Sequence, residues 1–140
     1  MNILDDLKLQ YRTGGMVQKL IFWNIGCFLL SLVFFYSFSV GSFQIPTWIA
    51  LSSDFGTFIR TPWTLITFNF FHAGFLHLIF NLMVLHFSGR LFSTYFTDKQ
   101  LLGVYVLGGI FSGITFVLSY IFIGKAGLLV GASGAIMAIL

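Results

Sequence analysis

Charged side chains are scarce in this chain: four acidic and seven basic residues make up 8% of its 140 positions, where an ordinary soluble domain carries about a quarter. So little charge cannot cover a water-facing surface, and a soluble globular domain is excluded. A single cysteine, Cys27, rules out an internal disulfide and leaves the redox compartment open. The net charge is only +3, and no basic cluster with interleaved aromatics occurs, so nothing indicates a nucleic-acid partner. The two prolines, Pro46 and Pro62, both fall between residues 41 and 73.

What remains is apolar. A hydrophobic fraction of 58% and a mean hydropathy of +0.97 define an integral membrane chain. Phenylalanine alone occurs 19 times, and aromatics at both ends of apolar runs suit interfacial belts and lipid-facing packing.

Residues 1–19 read as a polar, mildly amphipathic tail, and residues 20–140 as a membrane domain. Leu20 to Val40 runs without a charge, long enough for a spanning helix and too long for a signal-peptide core of about 7–15 residues. A second span is expected from about Gly74 to Gly89 and a third from about Leu101 to Ile123. Residues 41–73 keep Trp48, Ile49, Phe55, Phe58, Trp63 and Phe68 beside Asp54 and Arg60. A connector so long and aromatic predicts one or two short helices lying in the interface. The last apolar run, Leu128 to Leu140, is expected to be helical and would cover roughly 20 Å at ~1.5 Å per residue, against a hydrocarbon core of about 30 Å. It therefore predicts a fourth span that stops inside the bilayer, as in the N-terminal part of a longer protein.

Lys8, Arg12, Lys19, Arg90 and Lys99 fall on one side of these spans, and Arg60 and Lys125 on the other. That asymmetry predicts a cytoplasmic N-terminus and an outer position for the long aromatic loop. A bacterial plasma membrane is the simplest setting.

This topology starts the second and fourth spans from the same outer face, which puts His77 and Ser133 at similar shallow depth. Asn81 follows His77 at i, i+4 and shares its helix face. Polar side chains inside a membrane are rare enough to mark function by default. Their bland role is a hydrogen bond to a neighbouring helix. Around Ser133 the neighbours Gly131, Ala132, Gly134 and Ala135 are all small, which fits either an accessible hydroxyl or a helix-packing seam. Gly109 and Gly113 fit close helix packing. A serine hydroxyl attacks only when a base takes its proton and donors meet the oxyanion; from residue types alone, His77 pairs with Ser133 as a dyad. His86 would lie roughly 13 Å deeper than His77 along the helix, so the three histidines do not suggest a zinc site.

The stretch Pro62-Trp63-Thr64-Leu65-Ile66-Thr67 and the stretch Phe71-His72-Ala73-Gly74-Phe75-Leu76-His77-Leu78-Ile79-Phe80-Asn81 resemble the second-span region of rhomboid intramembrane proteases. Arg90-Leu91-Phe92 after Ser88-Gly89, and Gly131-Ala132-Ser133-Gly134, are similar to that family as well. The resemblance covers about residues 17–140. It implies an all-α polytopic membrane protein with a rhomboid-like helical bundle, here three complete transmembrane helices plus the start of a fourth, and a membrane-embedded first loop. It further implies that Ser133 is the nucleophile of a serine endopeptidase and that His77 and Asn81 line the oxyanion hole, which replaces the dyad. His72 would be an accessory histidine. The substrate would be a transmembrane protein cut near the outer face, the surroundings a lipid bilayer, and no cofactor or metal is implied. Ser93 stands where many members have a glutamate. The family's general base is a histidine on a sixth span, absent from this chain, so these 140 residues alone are expected to be inactive. The rival reading is a catalytically inactive rhomboid-like protein that binds membrane clients. A channel or transporter fragment is the third, and nothing polar on the third span suggests it.

Overall fold

The computed structural model describes residues 2–140. Helix α1, Ile3–Thr13, begins where the Asn2 side chain accepts the Asp5 N–H at 2.9 Å, with Asp5 and Asp6 in its first turn and Arg12 in its last. This order complements the helix dipole. The Gly14-Gly15 step is extended and leads directly into α2, Met16–Phe34. The first spanning helix thus starts before Leu20 and takes in Lys19, a residue type whose long apolar stem is tolerated at the end of a membrane helix.

That helix also stops short of Val40. Tyr36–Ser37 (β1) and Ser42–Phe43 (β2) pair antiparallel as a small hairpin, and Gly41 takes φ 67 in its turn. Hydropathy alone could not locate this end, because the apolar run continues across the hairpin.

The loop that follows holds β3 (Leu51–Ser52), α3 (Phe55–Arg60), α4 (Thr64–Thr67) and a 3₁₀ turn, Phe68–Phe70. Short helices were expected here, and the loop contains them. Asp54 caps α3: the Thr57 N–H and hydroxyl donate to its carboxylate at 2.8 and 2.7 Å, which holds the Asp54 carboxyl below its usual range.

Helices α5 (Phe75–Phe92) and α6 (Asp98–Ile123) follow. A reciprocal Thr97 and Gln100 capping box opens α6, and Gly124 at φ 70 closes it. With α2 they are the three helices long and apolar enough to cross a membrane. Less than a third of each apolar window is buried, and Phe87, Phe111 and Phe122 face outward, as lipid contact requires.

The fourth apolar run departs from expectation. Leu128–Leu129 is a strand, β4, paired antiparallel with β3 through Leu51 opposite Leu129. Helix α7 covers only Ser133–Met137. Pairing with the loop satisfies backbone groups at Leu128–Leu129 that would otherwise need helix, so the chain is extended there and turns helical only from the serine onward.

Leu20, Leu85, Leu101, Tyr105, Ala132, Ala135, Ile136 and Ile139 form one core joining α2, α5, α6 and α7; Leu51, Phe68 and Val117 form a second under the loop. Gly109 and Gly113 do make a close approach, but to the loop: a Cβ on Gly109 would meet the Asn69 amide at 2.5 Å, and one on Gly113 would meet Leu51, Leu65 and Phe68. The third span is not free of polar function either. Its buried Tyr105 hydroxyl accepts from the Asn24 amide and donates to the Asn69 carbonyl, each at 3.2 Å. The loop is thereby tied to two spans.

Candidate active site

Gly74 is the N-cap of α5, which places His77 in the first turn and Asn81 one turn deeper on the same face. Facing them is the segment between β4 and α7. Its Gly131 N–H donates to the Phe68 carbonyl at 2.9 Å, and its Ala132 N–H points at His72 Nε2 at 3.5 Å, a long and weak contact. His72 is fully buried, edge-on to His77 with ring centroids 5.1 Å apart.

The closest approach is at Gly131, whose φ is 124. A Cβ there would lie 2.6 Å from His77 Cε1, 2.8 Å from His77 Nε2 and 3.8 Å from Asn81 Nδ2. Two side-chain nitrogens therefore converge on one glycine backbone. Asn81 Nδ2 is buried and has no hydrogen-bond partner, so one donor on this face is uncommitted.

Ser133 is the first residue of α7, and its side chain is exposed. Packing against α6 is the work of its neighbour: a Cβ on Gly134 would overlap the Ser112 side chain, and one on Gly108 would overlap the Ala138 methyl. The small residues do build a helix seam, and that seam turns on Gly134. Both readings of the motif are thus realised, by different residues.

His72, His77, Asn81 and the Gly131-Ala132 backbone come together next to Ser133. His86 does not; it lines a separate cavity with Arg90, Ser93 and Asp98 near the other end of α5. Among the described residues no group of three or more His, Cys, Asp or Glu side chains could hold a metal ion. Sequence reasoning missed Gly131 as the contact point, because its positive φ and its facing ring are invisible in a string of small residues. It also missed Asn69 and Tyr105. Asn24 inside the first apolar run was the one available hint.

The His72 imidazole is pushed down to about 4 from an ordinary 6.5, by burial first and then by the nearby His77. Between those two pH values the unfolded chain binds a proton that the fold excludes, so stability should fall as pH drops from 6.5 toward 4 and level off below. Thermal unfolding in detergent across that window checks this. The variant His72→Asn should lose this part of the slope; an unchanged slope would refute the assignment.

A sequence model of the Rhomboid domain matches residues 60–140, more than half of the chain. The chain belongs to the rhomboid family. Neither a comparison with curated proteins nor one with solved structures returned a match. The rhomboid match begins at the end of α3 and takes in α5, α6 and the serine segment, so the converging groups above all lie within it. A rhomboid domain with three apolar helices makes this an integral, multi-pass membrane protein. The family is in general one of intramembrane serine proteases acting on transmembrane substrates within the bilayer.

Proposed function

We propose that this rhomboid-family chain carries the nucleophile and the oxyanion-binding groups of a serine intramembrane endopeptidase. Ser133 Oγ attacks the scissile carbonyl carbon of a locally unwound transmembrane helix. The carbonyl oxygen gains the negative charge and receives N–H groups from His77, Asn81 and the Ser133 backbone. Collapse of the intermediate expels the amine, which takes a proton, and water then releases the acyl group. The observation that carries this reading is the approach of His77 Nε2 and the unpartnered Asn81 Nδ2 to the backbone just before Ser133.

The base that takes the Ser133 proton is not one of the three histidines of this sequence. His72 is buried against the Ala132 N–H, His77 is assigned to the oxyanion, and His86 lines the distant cavity. The 140 residues alone should then turn over no substrate, since losing a base costs orders of magnitude in rate. The proposed setting is a bacterial plasma membrane; the basic-residue asymmetry supports a cytoplasmic N-terminus, which puts cleavage near the outer face. There a shallow polar cavity suffices to admit water.

A fluorophosphonate probe tests the assignment on two polypeptides, this chain and a longer form that adds a sixth-span histidine. The label should map to Ser133 in the longer form and be nearly absent from the shorter. An unlabelled longer form would favour a client-binding protein without peptidase activity. Substrate cleavage by the 140-residue chain, lost in Ser133→Ala, would restore the His77 dyad.

A further inference from the structure

Helices α1 and α2 both lie outside the residues that match the family. Yet α1 is not a loose tail. The Trp23 indole N–H donates to the Tyr11 hydroxyl at 3.1 Å, and the Tyr11 ring stands edge-on to Phe22 at 5.8 Å. Phe22 and Trp23 sit roughly 10 Å along α2 from Met16 at ~1.5 Å per residue. The helix is therefore folded back against the first turns of a membrane span.

Between α1 and α2 lies a cavity of about 460 Å³ lined by Leu4, Leu7, Lys8, Tyr11, Arg12 and Phe22. Its floor is hydrocarbon and aromatic. Lys8 and Arg12, one helical turn apart on α1, both contribute to its lining. Leu4 is 65% and Leu7 41% exposed, which water would disfavour and an acyl chain would not. Asp5 lines a smaller neighbouring cavity together with both cationic residues, while no acidic side chain among the described residues lines the groove itself.

We propose that this groove binds an anionic phospholipid. Its acyl chain lies along Leu4, Leu7, Tyr11 and Phe22, and its phosphate is held by Lys8 and Arg12. An apolar floor selects a lipid over a soluble anion; the two cations select an anionic over a zwitterionic headgroup. The Tyr11 to Trp23 hydrogen bond fixes the helix at the spacing that keeps the groove open. The site is independent of the peptidase reading, because no catalytic candidate touches it.

Native mass spectrometry of the 140-residue chain in detergent, titrated with phosphatidylglycerol or phosphatidylcholine, measures the affinity of the first retained lipid. Phosphatidylglycerol should bind severalfold more tightly. Lys8→Gln and Arg12→Gln should each weaken it by about fivefold, the loss expected for one surface cation near anionic lipid, and together bring it to the phosphatidylcholine level. Leu7→Ser keeps both cations and should also weaken phosphatidylglycerol, while thermal unfolding without lipid confirms that each variant is folded. Equal binding of the two lipids overturns the proposal, as does an unaffected double variant. Displacement of phosphatidylglycerol by millimolar inorganic phosphate would overturn it too, since the site would then be an anion site and not a lipid groove.

Discussion

Gly131→Ala should all but abolish peptide-bond cleavage in a form of the protein that carries its general base, with a loss of about a thousandfold or more in kcat/KM. Two costs act at once. The backbone at φ 124 is a conformation that any side chain occupies under strain, and the added methyl would sit 2.8 Å from His77 Nε2. Either the ring swings away or the segment carrying Ser133 shifts. A misplacement of about 1 Å at a reacting centre costs about a hundredfold, and loss of an oxyanion donor another hundred- to thousandfold. The control is Gly26→Ala, where a Cβ meets nothing within 4 Å and a helix interior gains from alanine. Kinetics on a transmembrane substrate, with thermal unfolding alongside, decide the matter. Full activity in Gly131→Ala would mean that the His77 face and the serine segment do not work together.

Asn81→Leu should lower kcat by about a hundred- to thousandfold with little change in KM. The more discriminating expectation concerns stability. Asn81 Nδ2 is buried without a partner in the resting fold, so its removal forfeits no hydrogen bond and relieves a desolvated donor. Thermal stability should hold or rise while the rate collapses, the pattern expected where a polar group is kept for a transition state and not for the fold. The same variant should slow fluorophosphonate labelling of Ser133 in similar proportion, because that adduct also needs its oxygen stabilised. A stability loss with an unchanged rate would make Asn81 an ordinary interhelical hydrogen-bonding residue.

Several features behind these predictions are visible in the bare string. Three long apolar runs with few charges had to become spans, since a bilayer accepts few other backbone arrangements. The four-residue spacing of His77 and Asn81 puts them on one face of any helix that contains both. A long aromatic loop with both prolines pointed to short helices, and the loop contains them. The small residues around Ser133 promised either packing or access, and the split of those duties between Gly134 and Ser133 was not legible. Hydropathy also overran the first helix, because Phe38 and Val40 are apolar in the hairpin just as they would be in a helix.

Amino-acid order alone determined the solvent of this protein, its membrane helices and the helical face carrying the imidazole and carboxamide, all of which follow from hydropathy and the α-helical repeat. Only the tertiary structure decided that Leu128–Leu129 stays extended, that Gly131 meets His77, and that Asn24, Tyr105 and Asn69 tie the loop to the spans. Each of these joins segments far apart in the chain. A strand pair, a glycine against a ring and a buried hydroxyl between two amides arise when distant surfaces fill the same space, and no local pattern encodes which surfaces those will be.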